Sequence, residues 1–321
     1  MSKPLCVEPY REQDAEAWDR FLAEQSDGLD LLHTRRFLSH RQAPFADRSL
    51  ILRDDRGAIL GVLPAAQDPD DAAVIVSHPG LTYGGLVGSR ALRDGAMLRA
   101  LEAVGAHLRQ DGARLLRYKP VPAIYRAQPR EDDIYALHRL GGRPIRCDLG
   151  AALDLAMPAK TEQRRRRALK RAASSGLAVE RGAHLLEDIW PLITATFADR
   201  MGARPTHSLG ELQRIRDLFP GQFDILAARL ESEPVAGVVL LVSRHAARLQ
   251  YIVSSAEGYA RNALDPVIDR CIADERGRGR RYLDFGTSTL DAGRALSDGV
   301  QGFKAGFGAG SILQQVWELE L

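Results

Sequence analysis

Long apolar runs are absent from the 321-residue sequence: no stretch approaches the roughly 20 consecutive apolar residues that span a bilayer. The opening residues, MSKPLCVEPYREQD, also lack the apolar core of a secretory signal. A cytoplasmic protein without a transmembrane segment is therefore expected. Cysteine is scarce. Cys6, Cys147 and Cys271 lie far apart, with the spacing of neither a metal site nor a disulfide framework, which fits a reducing compartment. The eight histidines form no HxxxH or HExxH pair, and no metal site is expected. GxSxG, the Walker A loop and GxGxxG are missing too, which argues against elbow-type hydrolases, P-loop NTPases and dinucleotide enzymes. Net charge is only +2, so binding to nucleic acid or phosphate has to come from a local patch.

What is present is the composition of a soluble globular protein, 45% hydrophobic and 27% charged, with a length that predicts two domains. In the first half, Ala15, Trp18, Phe21 and Leu22 recur at helical spacing and predict a helix over 12–25. Residues 33–38 read as a second short helix carrying Arg35 and Arg36. Residues 49–53 and 58–65, around the turn 54–57, read as a hairpin. A strand at 72–77 leads into the glycine-rich stretch 80–88, which contains Tyr83. A long helix over 90–110, a strand at 114–118, a helix over 131–140 and a strand at 146–155 follow. The second half repeats that order. It has a very basic helix over 158–174, helices over 186–201 and 208–219, and strands at 223–230, 235–243 and 248–254. A helix over 263–276, a strand at 281–285 and a closing strand at 311–319 complete it. Ser208 and Glu211 have capping-box spacing. Strand, helix, strand in the middle of each half implies one parallel crossover in an otherwise antiparallel sheet. The expectation is an α/β (α+β) fold with two domains, 1–156 and 157–321. Each is a mixed, mostly antiparallel sheet with helices on both faces.

Chemistry concentrates in residues 280–308. Lys304 stands between Phe303 and Phe307 among glycines, the setting of a desolvated lysine. Three roles are open to it: stabilising a tetrahedral oxyanion, binding a substrate phosphate, or pairing with Asp284. Asp284, at a strand end, could orient or deprotonate an attacking amine or cap a loop. Ser288 lies in the hydroxyl-rich turn 286–289. Arg164, Arg166 and Arg167 fan out from a helix whose apolar positions share a face with Arg165, an array suited to phosphate as well as to a solvated surface. His207, in a polar bend before a helix, and Tyr251, on a strand, are further candidates for substrate contact. In the first half, Arg35, Arg36 and Tyr83 are candidates of the same kind, and Phe303 joins Lys304 as a substrate contact.

The element order of each half resembles the GNAT N-acyltransferase fold, in which the strands before and after the crossover helix splay apart and open the substrate cleft. Two such units in one chain resemble the Fem-type (FemAB-like) aminoacyltransferases, which attach amino acids from aminoacyl-tRNA to the peptide of a cell-wall precursor. Residues 166–172, RRALKRA, with Gly176-Leu177-Ala178-Val179, are similar to that family's arginine-led helix and next strand. Phe303-Lys304-Ala305-Gly306-Phe307-Gly308 is similar to its Phe-Lys-x-x-Phe-Gly segment. Residues 118–125, 131–137, 205–208 and 284–288 resemble GNAT-type proteins encoded among envelope-polysaccharide genes.

The resemblance implies an N-acyltransferase that moves an acyl or aminoacyl group to a primary amine of a small molecule or envelope precursor. The donor, aminoacyl-tRNA or acyl-CoA, would be a co-substrate, with no tightly bound cofactor. Lys304 would assist transfer, and Arg166 would bind precursor or tRNA phosphate. The GNAT pyrophosphate pattern, Gln/Arg-x-x-Gly-x-Gly/Ala, places N–H groups at a helix N-terminus; neither 257–263 nor 83–88 follows it. Residues 81–85 also lack the acidic residue that Fem-type enzymes can carry, which leaves deprotonation to Asp284, His207 or bulk water. The rival from another class is a non-catalytic GNAT-fold protein that holds nucleic acid or an anionic polymer on its arginine helix.

Overall fold

Trp18, Phe21 and Leu22 lie on one face of helix α1 (Ala15–Glu24) and are buried there, as their spacing predicts. The structure, a computed structural model, describes residues 5–26, 31–40, 45–158 and 162–321. Residues 159–161, in the first turn of the basic helix expected over 158–174, lie outside them. Contacts divide the chain into two compact units: 1–149 with 290–295 and 313–321, and 150–289 with 296–312. The C-terminal strand thus shares residues with both units, unlike a single cut at 156/157.

In the first unit, β1 (Cys6–Pro9), α1 and α2 (Arg35–Leu38) precede the expected hairpin of β2 (Leu50–Arg53) and β3 (Ile59–Leu63). Asp54 closes the turn by accepting the amides of Arg56 and Ala58, each at 2.9 Å, and Gly57 supplies the positive φ. Then follow β4 (Ala66–Gln67), β5 (Val74–Val76), β6 (Val87–Gly88), α3 (Gly95–Gln110), β7 (Leu115–Tyr118), α4 (Asp132–Arg139) and β8 (Arg143–Asp154). One antiparallel sheet has the order β1-β2-β3-β6. In a second, β5 pairs parallel with β7 across the crossover helix α3, while β7 pairs antiparallel with the C-terminal strand Gly310–Glu320.

The second unit opens with the basic helix α5 (Gln163–Ala173) and the edge strand β9 (Leu177–Arg181). Helices α6 (Leu186–Met201) and α7 (Leu209–Leu218) follow, and Ser208 and Glu211 form the predicted capping box on α7. An antiparallel meander, β10 (Phe223–Leu230), β11 (Glu233–Val242) and β12 (Ala246–Ser254), leads through the short helix α8 (Ala256–Ala260) and the crossover helix α9 (Leu264–Gly277) to β13 (Tyr282–Thr287). β13 is parallel to β12 and antiparallel to the last residues of β8. The predicted mixed sheet with one parallel crossover is present in each unit. Helix α10 (Asp298–Ala305), which carries Lys304, lies where the sequence reads as loop. Two glycines in eight residues hide it from propensity.

The core of the second unit joins Leu226, Val238, Leu240 and Leu249 of the meander to Val267 and Ile268 of α9, with Phe285 and Phe307 at its end. A buried ion network pins the edge strand to this core. Arg181 donates to Asp224 at 2.7 Å, to Asp274 at 2.8 Å and to Glu275 at 2.7 Å, and Glu275 is fully buried. Arg181→Met leaves that carboxylate with Arg278, at 3.1 Å, as its hydrogen-bond donor, and the loss approaches that of a broken buried pair, about 3–5 kcal/mol. Urea unfolding should show a loss of that size, and adding Glu275→Gln should restore part of it.

Candidate active site

β12 and β13 pair over only three residues, Ala246–Arg248 against Tyr282–Asp284, and each runs on beyond the pairing. Two irregularities sit where they part. The β11–β12 register shifts so that Gln250 has no partner, just before Tyr251, and the β13–β8 register shifts between Asp284 and Thr287. Bulges bend a strand and re-aim its side chains. At the second one, Gly286 adopts φ 71°, and the guanidinium of Arg248 lies against it.

The carbonyls of Gly286 and Thr287 receive Lys304 Nζ, at 2.8 and 2.6 Å. Lys304 is 3% exposed, and burial lowers its pKa from 10.5 to about 8, with nearby Asp284 opposing and Arg248 adding to the shift. Asp284 does not bond to the lysine directly. Its Oδ2 accepts from Arg248 Nη1 at 2.6 Å and its Oδ1 from the Gly286 amide at 2.7 Å, and it is fully buried. Asp284 therefore braces the loop that receives the lysine, and both its oxygens are engaged. Ser288, next along, is 3% exposed, and its Oγ lacks a hydrogen-bond partner among the described residues.

Arg165 completes this group, a residue set apart in sequence only by sharing a helix face with Ala168 and Ala172. Its guanidinium lies 4.4 Å from the Phe303 ring centroid and 4.5 Å from that of Phe307. Arg164, Arg166 and Arg167 are exposed on the other faces of α5. His207 and Tyr251 also come together: the tyrosine hydroxyl is 2.9 Å from His207 Nδ1 and accepts the His207 amide at 3.2 Å. Both residues are buried, and Tyr251 meets Phe197 of α6 edge-on.

Residues 159–304, which hold all of these groups but Phe307, match the family model described as an acetyltransferase (GNAT) domain. This segment is a GNAT domain. Solved structures extend the likeness in fold to the whole chain. FemX aligns with a TM-score of 0.70 at 14% identity, over 98% of this chain and 97% of that one. L-PGS from Bacillus licheniformis aligns with a TM-score of 0.63 at 13% identity, over 96% and 91%. A tandem GNAT protein from the clavulanic acid biosynthesis pathway aligns with a TM-score of 0.57 at 14% identity, over 99% and 98%. The chain thus has two GNAT-like domains. No curated protein matches the sequence, and among the described residues no helix is long and apolar enough to cross a membrane.

In the GNAT domain, the segment between β12 and α9 is folded on itself. The Gly258 amide donates to Ser255 Oγ, Tyr259 to the Ser255 carbonyl, Arg261 to that of Glu257, Asn262 to that of Tyr259 and Ala263 to that of Gly258. A Cβ at Gly258 would stand 2.2 Å from the Val235 carbonyl oxygen, so the segment is also pressed onto β11. In the first unit, the chain itself occupies the place where β5 and β7 diverge. The Lys119 amide donates to Ser77 Oγ at 2.7 Å and the Gly84 amide to the Lys119 carbonyl at 3.1 Å. Tyr83 is buried there, its ring tilted against that of Tyr125 at 4.6 Å between centroids. A cleft of about 830 Å³ opens elsewhere in that unit, lined among others by Tyr10, Asp19, Arg35, Arg36, Phe45 and His78. Arg35 is held in its wall by Asp47, by Ser49 Oγ at 3.0 Å and by the Tyr10 ring at 3.6 Å, whereas Arg36 is exposed.

The buried lysine makes stability depend on pH. The unfolded chain keeps the proton on Lys304 up to about 10.5 and the folded chain releases it near 8, so between those values the unfolded state binds more protons. Urea unfolding from pH 7 to 10 should therefore show wild-type stability rising relative to Lys304→Met across that window, and a flat difference would refute the burial of the charge.

Proposed function

We propose that the protein is an N-acyltransferase in which the second unit carries out transfer to a primary amine, with Lys304 as the cation that meets the tetrahedral oxyanion. The observation that carries this reading is the buried ammonium beside the parting of β12 and β13, inside the segment that matches the GNAT domain. An ammonium has three donors, and two carbonyls take two of them. The third can strengthen its bond as negative charge develops on a reacting carbonyl oxygen.

Aminoacyl-tRNA is the donor we favour over acyl-CoA. The amides of Gly258, Tyr259, Arg261, Asn262 and Ala263 are already bonded within 255–263 and offer a CoA pyrophosphate no grip, whereas Arg164, Arg166 and Arg167 stand exposed for phosphates. We place recognition of the amine acceptor, an envelope precursor with anionic groups, at the cleft of the first unit, where Arg36 is exposed beside the anchored Arg35. No tightly bound cofactor is called for, and a cytoplasmic location goes with such substrates.

Transfer assays with charged tRNA and with acetyl-CoA, on peptide and amino-sugar acceptors, test this. Lys304→Met should lower kcat by about 10²–10³-fold, the value of one oxyanion donor. With the cation as the active form, the rate should fall as pH rises past about 8, the pKa that burial gives Lys304; a rate that rises there would make the lysine a base. Arg166→Gln with Arg167→Gln should weaken tRNA binding and flatten its salt dependence, by about 0.7 of a log unit per lost phosphate contact to single strands. Use of CoA esters with tRNA silent would overturn the donor assignment. Polyanion binding without turnover on any donor would instead favour the non-catalytic reading.

A further inference from the structure

We propose that Arg165 is the positioning residue for Lys304, fastening the short helix that presents the lysine to the arginine helix α5 and to the crossover helix α9. The proposal deepens the reading of Lys304 as the transfer residue and rests on it, but the positioning itself is measurable without turnover.

Of Arg164, Arg165, Arg166, Arg167 and Arg171, only Arg165 is buried, at 5% exposure. It shares the inward face of α5 with Ala168 and Ala172, three and seven residues on, which are buried too. Both terminal nitrogens of its fork are committed. Nη1 donates to both oxygens of Asp265, at 3.0 and 3.2 Å, in the first turn of α9, and Nη2 donates to the Phe303 carbonyl at 3.0 Å. The guanidinium also lies against the rings of Phe303 and Phe307, which meet each other edge-on at 5.3 Å. A Cβ at Gly306 would lie 3.0 Å from Arg165 Nε, so the guanidinium also presses on the backbone just past the lysine. The Glu162 amide, at the start of α5, donates to the Gly306 carbonyl at 3.3 Å.

Helix α10 needs such fastening. Eight residues with glycines at 299 and 302 do not hold a helix unaided, since nucleation is costly and each glycine adds about 1 kcal/mol. Arg165 grips the residues before and after Lys304, which leaves Nζ one place to go, the carbonyls of Gly286 and Thr287. A lysine at 165 has neither the fork nor the stacking plane to do the same.

The chain has five lysines, so ¹⁵N,¹³C-lysine labelling of the full protein yields few enough signals to follow Lys304 alone, identified by its loss in Lys304→Arg. The wild-type signal should titrate well below the others, with Asp284 and Arg248 as its charged neighbours. In Arg165→Gln, and in the isosteric Asp265→Asn should the first fail to fold, it should move up by about one pH unit or more, as the lysine gains water. Arg164→Gln and Arg171→Gln, on the exposed faces, should leave it in place. In transfer assays, Arg165→Gln should lower kcat about tenfold or more with KM little changed, and should cost far less when added to Lys304→Met. An unmoved Lys304 titration in a folded Arg165→Gln or Asp265→Asn protein overturns the proposal. A titration that moves as expected, in a protein with no transfer activity on any donor, upholds the positioning and strikes instead at the proposed function.

Discussion

The ammonium of Lys304 lies at the end of an apolar core, and the carbonyls of Gly286 and Thr287 are what make that placement tolerable. A buried cation without oxygen partners neutralises or drags its segment into water. Those two carbonyls can turn toward it because the β13–β8 ladder breaks between Asp284 and Thr287 and because Gly286 accepts a positive φ. The break is in turn braced by Asp284, which ties the Gly286 amide to Arg248 on the neighbouring strand. Each member of the group is placed by the next, so a change at any of them is felt at the lysine.

The four consecutive arginines of α5 divide their work by helical phase. One turn of helix puts Arg165 inward onto Asp265 and the two phenylalanines, while Arg164, Arg166 and Arg167 stay in water. Burial of a single arginine is tolerable here because its two terminal nitrogens bond to oxygens and the guanidinium lies against two aromatic rings. Its neighbours keep the mobility and hydration that recognition of a phosphate backbone calls for.

Much of this was legible in the sequence. Helical stripes, the Asp54–Gly57 turn and the Ser208 capping box marked elements that formed where expected, and strand–helix–strand order fixed the parallel crossover in each half. The desolvation of Lys304 was readable from its aromatic and glycine neighbours. Helix α10 was not, because glycine at 299 and 302 argues against a helix that tertiary contacts impose. The partner of Asp284 was hidden as well, since Arg248 lies 36 residues away and reaches it only through strand pairing. Arg165 was inconspicuous among identical neighbours, although its phase with Ala168 and Ala172 was the one available signal. Tyr83, a candidate contact in sequence, is a packing residue against Tyr125.

The donor question turns on hydrogen-bond accounting. A helix N-terminus binds a pyrophosphate because its first amides have no partner within the chain. Between β12 and α9 the amides of Gly258, Tyr259, Arg261, Asn262 and Ala263 do have partners: Ser255 Oγ and the carbonyls of Ser255, Glu257, Gly258 and Tyr259 receive them. Glu257 adds a carboxylate to the same short segment. A CoA pyrophosphate would have to displace these bonds before making its own, and at about 0.5–1.5 kcal/mol net for each bond the exchange returns little. Exposed arginines on α5 need no such exchange, since water is all that a phosphate would displace from them. The electrostatic work of donor binding then falls on side chains instead of backbone, which favours a long polyanion that can touch several of them at once.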